Sequence, residues 1–253
     1  MEHYATAQQV YAGGLIFARL GTMLMLVPGI GESTVPARIR LSFAFLLTLM
    51  LLPVLANPMP VMPGTVGGLG GMIIKEVLIG LMIGAILRMF LTSMAAAGEL
   101  VSLATTLSFA QTAAPGQAQP STSLSTFLSL IAVVLIMTTD LHHLFISAIV
   151  RSYTLFPFTR PIPVADATQL ALQTVSGSFA LGVQLAAPVI VFALIFNIAA
   201  GLVGRVMPQF QIFFVATPLI VLLGLSIFGL SLGVIGMVWM DRYRDLLRQF
   251  GVA

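Results

Sequence analysis

Apolar residues run along the chain in long stretches that contain few polar positions. Six stretches stand out: 10–28, 41–56, 67–97, 124–150, 179–206 and 212–240. None of them alternates apolar and polar residues as a membrane β-strand does. A helix satisfies its own backbone hydrogen bonds, which an apolar solvent requires. The pattern therefore predicts an all-α, membrane-associated protein.

The lengths of these stretches are uneven. A span needs about 20 apolar residues to cross about 30 Å of hydrocarbon. Stretch 41–56 is shorter than this and contains Pro53, whereas 67–97 and 124–150 are longer than one crossing requires. The lengths therefore fit a simple six-span topology poorly.

The fourth stretch contains a polar interruption, formed by Thr138, Thr139 and Asp140. Aspartate is a favoured residue at the start of a helix, so a new helix is predicted to begin after Asp140. Each half would then be about 24 Å long or less, too short to cross a bilayer. We expect a hairpin of two short helices whose ends are buried against protein.

The composition excludes a water-soluble monomer. Hydrophobic residues make up 58% of the 253 positions and charged residues 8%, and the mean hydropathy is +1.07. An average soluble domain carries roughly 25% charged residues. The formal charge of +3 comes from scattered residues without a basic stripe, so nucleic acid is not an expected partner. No composition shift marks a boundary, which indicates one helical domain.

Ionisable residues inside the apolar stretches are candidates for function, because their insertion is costly. Lys75 and Glu76 are adjacent and point about 100° apart on a helix, so each needs a partner elsewhere. One interpretation is a proton or substrate path; the favoured one is that these groups anchor helices to each other. The full set is Arg19, Lys75, Glu76, Arg88, Glu99, Asp140, His142, His143 and Arg205.

Asp140, His142 and His143 have side chains that bind metals. On a helix, Asp140 and His143 are neighbours, but His142 points about 200° away from Asp140. All three could reach one ion only through irregular backbone, so we expect a polar turn and no metal site. The sequence also lacks the motifs of metalloproteases, serine hydrolases, P-loop proteins and dinucleotide-binding enzymes. We predict neither an enzyme nor a cofactor.

Two further patterns point to close packing and to an unusual loop. Glycines recur four positions apart in 67/71, 80/84 and 229/233, a spacing at which membrane helices approach closely.

Segment 108–123 contains Pro115, Gly116 and Pro120 and no charged residue. Irregular backbone at membrane depth is tolerated where it lines a cavity, so a plug-forming loop with Phe109 as its apolar wedge is predicted. An ordinary surface loop is the alternative.

Short motifs occur in a characteristic order between Arg19 and about Met240. They are Val35-Pro-Ala-Arg38-Ile-Arg40, Ala97-Gly-Glu99-Leu, Leu107-Ser-Phe109-Ala with Pro115, Asp140-Leu-His142, Ser152-Tyr153, Phe156-Pro157, and Gly204-Arg205-Val-Met-Pro208-Gln209. In this order and spacing the chain resembles the FliR family of the flagellar export apparatus, which includes the equivalent subunit of virulence type III secretion systems.

The resemblance implies a core subunit of a flagellar type III export gate in the bacterial inner membrane, at the flagellar basal body. It implies FliP and FliQ subunits as partners in a helical pore complex, FlhB bound to it, exported flagellar proteins as substrate, and contact with membrane lipid. It implies one export-gate domain, with a FliP-like part (1–175) fused to a FliQ-like helical hairpin (176–253).

The resemblance also assigns residues to two roles. The pore plug loop would comprise Phe109, Ala110, Gln111, Pro115, Gly116, Gln117 and Pro120. Subunit assembly would involve Arg38, Arg40, Glu99, Arg205, Pro208 and Gln209. The family often has an acid before the proline of the loop, where this chain has Ala114. A stand-alone secondary transporter or channel for a small solute is the rival hypothesis, in which isolated ionisable groups line the path.

Overall fold

The computed structural model describes residues 7–27, 29–31, 35–55, 61–108, 121–161, 164–207, 209 and 211–249. Within these ranges there are seven long helices and no strand, which confirms the predicted all-α fold. The helices are α1 (Ala7–Leu26), α2 (Ala37–Leu55), α3 (Val66–Ala104), α4 (Ser123–Thr138), α5 (Leu141–Leu155), α6 (Val164–Val206) and α7 (Ile212–Gln249).

Five of these helices, α1, α2, α3, α6 and α7, are long and apolar enough to cross a membrane, so the chain is a polytopic membrane protein. The helix α6 has 43 residues, about 64 Å at 1.5 Å per residue, which is twice the hydrocarbon thickness. It begins well before the apolar stretch that predicted it. Polar residues such as Gln169 and Gln173 interrupt the hydrophobic pattern there without ending the helix.

The predicted break in the fourth apolar stretch is confirmed. Helices α4 and α5 have 16 and 15 residues and meet at an angle of 77°. Asp140 stands at the N-cap position of α5 in the left-handed conformation, with φ 57° and ψ 15°. Its side chain makes no capping hydrogen bond, so the residue acts by its backbone conformation and not as the oxygen acceptor expected of an N-cap aspartate.

The chain forms two compact units, each assembled from separate segments. The first consists of Met1–Phe90, Asp140–Val175 and Arg244–Ala253, and the second of Leu91–Thr139 and Ser176–Tyr243. The long helices α3 and α6 each contribute to both units. The division after residue 175 that the resemblance implies stays a prediction.

In the first unit, α1 packs against α2 and α3. Leu15, Leu20 and Met23 are fully buried on α1. A Cβ at Gly80 would lie 2.5 Å from the carbonyl oxygen of Arg19, and one at Gly84 would lie 2.9 Å from the Cβ of Leu26. The predicted close approach is therefore confirmed for this glycine pair.

The second unit is built around Trp239 of α7, whose side chain is completely buried. Its indole Nε1 donates a hydrogen bond of 3.1 Å to the Oγ of Ser93 on α3, and its ring stacks on that of Tyr243 at 5.4 Å. A Cβ at Gly182 of α6 would lie 3.0 Å from the Ser93 carbonyl oxygen. The three helices therefore approach closely at this point.

Candidate functional site: a buried ionic cluster and the base of the predicted plug loop

An ion pair without solvent contact joins α1 to α3. The Nε of Arg19 donates to the Oε2 of Glu76 at 2.6 Å, and both side chains are 0% exposed. The partner that Glu76 was predicted to need is therefore on a neighbouring helix. A charge-assisted hydrogen bond of this length is among the stronger ones in proteins.

The other two nitrogen atoms of the Arg19 guanidinium bind α5 and the residue that follows it. Its Nη1 donates to the carbonyl oxygen of Ser152 at 3.0 Å, and its Nη2 donates to that of Phe156 at 2.8 Å. The guanidinium carbon lies 4.1 Å from the ring centroid of Tyr153, a cation–π distance. One arginine thus connects three helices of the first unit.

Lys75 makes a second connection between α3 and the segment after α5. Its Nζ donates to the carbonyl oxygen of Phe158 at 2.7 Å and, more weakly, to that of Pro157 at 3.4 Å. Adjacent residues of α3 therefore take different partners, as their angular separation required. For Arg19, Lys75 and Glu76 the interpretation as helix anchors is confirmed.

Two buried polar side-chain atoms of the first unit make no hydrogen bond to the described residues. The Oε1 of Glu76 and the hydroxyl of Tyr11 are buried without a hydrogen-bond partner among the described residues. The contacts of Arg19, Lys75 and Glu76 among the described residues attach helices to one another.

The backbone just after the predicted plug loop is bound to α3. The backbone N–H of Thr122 donates to the Oε1 of Glu99 at 2.8 Å. Beside it, a Cβ at Gly98 would lie 2.5 Å from the backbone nitrogen of Ser125, so only glycine allows the first turn of α4 to sit this close. Thr122 in turn caps α4 by accepting from the Ser125 N–H at 3.3 Å. Glu99 therefore holds the point at which the chain leaves the loop.

The other residues assigned to the plug and to subunit assembly differ in their surroundings. Arg38 and Arg205 are exposed, and Gln209 lies exposed in the turn between α6 and α7. Arg40 donates from Nη1 to the carbonyl oxygen of Gly31 at 3.4 Å. The remaining ones lie outside the described residues: Phe109, Ala110, Gln111, Pro115, Gly116, Gln117, Pro120 and Pro208.

Arg38 and Arg40 belong to the first compact unit, and Glu99, Arg205 and Gln209 to the second. Within the second unit Glu99 has the internal partner described above, whereas Arg205 is exposed in the last turn of α6. The described residues assigned to assembly are thus divided between the two units.

Sequence reasoning missed the acceptors of the ionic cluster. The carbonyl groups of Ser152 and Phe156 bind the cation of Arg19, and backbone carbonyls leave no mark in the residue pattern. Both residues occur in the motifs Ser152-Tyr153 and Phe156-Pro157. Their position in these motifs singled out the two residues but did not indicate Arg19 as their partner.

Known proteins resemble this chain over almost all of its length. It matches the family described as bacterial export proteins, family 1, over residues 10–246. It is 62% identical to the flagellar biosynthetic protein FliR of Caulobacter vibrioides over 250 residues, covering 99% of this chain and 100% of that protein. Identity to the FliR of Aquifex aeolicus is 31% over 236 residues, covering 93% and 91%. For the FliR of Escherichia coli it is 31% over 212 residues, covering 83% and 79%.

Proposed function

Since the chain belongs to the FliR family of bacterial export proteins, we propose that it is a core subunit of the flagellar protein-export gate. In this proposal it assembles with FliP and FliQ subunits into a pore in the inner membrane at the flagellar basal body, with FlhB bound to the assembly. Unfolded flagellar proteins pass through the pore, and residues 109–120 help to keep it closed. The energy for transport comes from other components.

Large apolar faces of the helices support an assembled state. In the most apolar stretch of 18 residues of α2, only 17% of the residues are buried within the chain. In the corresponding stretch of α7 the share is 28%. An apolar groove of about 550 Å³ lies between α1 and α2, lined by residues that include Phe17, Phe45 and Leu49. Lipid covers such surfaces in part, and helices of neighbouring subunits are the other suitable cover.

The observation that carries the proposal is the placement of open glycines on these faces. Gly229 and Gly233 are exposed on α7, and a Cβ at either position would meet nothing within 4 Å. The same holds for Gly67 and Gly71 on α3. Lipid tails gain nothing from such pairs, whereas another helix can approach closely at them. The pair Gly80 and Gly84 already receives α1 in this way.

Two exposed arginines need polar partners that hydrocarbon does not supply. Arg38 lies in the first turn of α2 and Arg205 in the last turn of α6, and both side chains are exposed. Hydrocarbon does not satisfy a guanidinium group, which needs water, a lipid headgroup or an acid. Acidic groups of neighbouring subunits would meet this requirement and would also fix the register of the assembly.

Co-purification tests the assembly. We expect the tagged chain, co-expressed with the FliP and FliQ subunits of the same bacterium, to elute with both in one complex. Gly229→Leu combined with Gly233→Leu should reduce the recovered FliP and FliQ, because the added side chains occupy the space left for another helix. Gly177→Leu, at an exposed open position without a glycine four residues away, is the matched control. A chain that elutes alone, is stable and binds a small solute would overturn the proposal in favour of a transporter.

A separate experiment tests the plug. Deleting residues 111–119 should make cells permeable to small ions while the complex still assembles. Glu99→Ala should give a smaller leak, because it releases the Thr122 N–H, whereas Glu99→Gln keeps an oxygen acceptor and should stay tight. An intact complex with unchanged permeability after the deletion would remove the plug from the proposal and leave the assembly standing.

A further inference from the structure

The turn between α4 and α5 brings together three side chains with metal-binding chemistry. One donor atom each of Asp140, His142 and His143 lies within 4.8 Å of the other two. The side chains of Asp140 and His143 are 78% and 68% exposed, and His142 is half-buried beside them. The sequence predicted that Asp140 and His143 would be neighbours and that all three residues could meet only through irregular backbone; the structure brings a donor atom of each together.

The reason is the backbone conformation of Asp140. With φ at 57° the residue is in the left-handed region, so it is outside the helical register of α5. The angle of about 200° between positions 140 and 142 applies only to continuous helix. Aspartate is one of the few residues that adopt this conformation routinely. The irregular backbone that a shared ion requires is thus present.

Hydrogen bonds among the described residues do not occupy the Nδ1 atoms of the two histidines. The Nδ1 of His143 lies 3.8 Å from the Oδ1 of Asp140, which is too long for a hydrogen bond. The Nδ1 of His142 is buried and has no hydrogen-bond partner among the described residues. The two imidazole rings lie side by side, with centroids 4.1 Å apart and planes inclined by 37°.

The spacing suits a small cation. Ligands at about 2.0–2.1 Å in tetrahedral geometry stand about 3.4 Å from each other. The separation of 3.8 Å between Asp140 and His143, and the limit of 4.8 Å for all three donor atoms, exceed this by an amount that side-chain rotation at an exposed turn can remove. Two imidazoles and one carboxylate suit zinc and its neighbours among the transition metals, whereas Mg²⁺ and Ca²⁺ take oxygen ligands.

We propose that Asp140, His142 and His143 form a binding site for a divalent transition-metal ion of the Zn²⁺ class, with the remaining coordination positions open to water. The ion ties the left-handed residue to the first turn of α5 and so stabilises the 77° break between α4 and α5. The site does not depend on the proposed gate function.

Cobalt is the probe for the experiment, because its visible absorption reports ligand number and type. The full-length chain is purified in detergent without a polyhistidine tag, freed of metal by a chelator and titrated with Co²⁺. We expect saturation at one Co²⁺ per chain, with a Kd below about 0.1 mM, and displacement of the absorption by Zn²⁺.

Each of three variants should weaken Co²⁺ binding at least about tenfold: Asp140→Asn, His142→Gln and His143→Gln. Asparagine also tolerates the left-handed conformation, so Asp140→Asn removes the charge and keeps the turn. Asp245→Asn, which removes an exposed carboxylate from α7, is the matched control and should bind as the original chain does.

Absence of saturable Co²⁺ binding would overturn the proposal, as would unchanged binding in both histidine variants. If a variant does not fold, as judged by circular dichroism and its elution volume, X-ray absorption at the zinc edge of the unaltered protein decides. A shell with two imidazole nitrogens supports the site, and a shell of oxygen alone refutes it.

Discussion

Replacing Glu76 by leucine leaves the guanidinium of Arg19 buried without its anion. Both side chains are 0% exposed, so solvent does not screen their interaction. The carbonyl groups of Ser152 and Phe156 remain as acceptors but carry no charge to balance the cation. Removing one partner of a buried ion pair costs about 3–5 kcal/mol. We therefore expect the melting temperature of the chain in detergent to fall by about 6–20 °C.

A second variant separates the loss of the pair from the loss of the side chain. Arg19→Met combined with Glu76→Leu removes both charges and retains apolar volume. Replacing a buried pair by apolar residues is often close to neutral, so the double variant should recover at least half of the stability lost by Glu76→Leu. The difference between the single and double variants measures the coupling directly.

The assay is thermal unfolding followed by circular dichroism, with the elution profile as a check on homogeneity. The exposed pair of Asp245 and Arg248, 3.4 Å apart, provides the control. Asp245→Leu should change the free energy of unfolding by less than about 1 kcal/mol. A melting temperature of Glu76→Leu within about 2 °C of the unaltered chain would refute the reasoning that this pair holds the first unit together.

Three further predictions concern helix glycines, the Lys75 hydrogen bond and the buried tryptophan. Gly80→Ala should lower the melting temperature because its Cβ meets α1, whereas Gly14→Ala, at an exposed open position, should raise stability by roughly 0.5–1 kcal/mol. Lys75→Met keeps the aliphatic stem but leaves the Phe158 carbonyl without its donor, so chemical denaturation should show a loss of about 1–3 kcal/mol. Trp239 is 0% exposed, so its fluorescence should be blue-shifted and weakly quenched by acrylamide; strong quenching in the folded protein would contradict the packing of the second unit.

Two features of the fold could be predicted from the cost of placing polar groups in apolar surroundings. A charge inside an apolar helix must find a partner, so the need of Lys75 and Glu76 for other elements was visible in the pattern. Three polar residues inside an apolar stretch predicted the break before α5. The start of α6 was not visible, because its first turns mix polar and apolar residues and a continuous apolar stretch marks only the later part of the helix. The hydrogen bond from Trp239 to Ser93 joins positions 146 residues apart, which local pattern cannot predict.

The candidate sites show where spacing arguments stop being valid. Rules based on 100° per residue assume a continuous helix, and they held for Lys75 and Glu76 inside α3. They do not apply to Asp140 and His142, because Asp140 is in the left-handed conformation and stands before the first residue of α5. The sequence contained a hint in the polar interruption that predicted the break itself. Where a pattern predicts a helix end, the angular rule should therefore not be applied across that end.

The charged residues of the apolar helices fall into two groups: those with a partner inside the chain and those exposed on its surface. Arg19, Lys75 and Glu99 find their partners within the chain, so their cost is offset inside each compact unit. Arg88 and Arg205 are exposed on α3 and α6, whose exposed residues are in large part apolar. Lipid tails would satisfy the apolar side chains of those helices but not the two cations. Those two cations therefore need water, lipid headgroups or acidic groups in addition to lipid tails, and the proposed assembly would supply acidic groups.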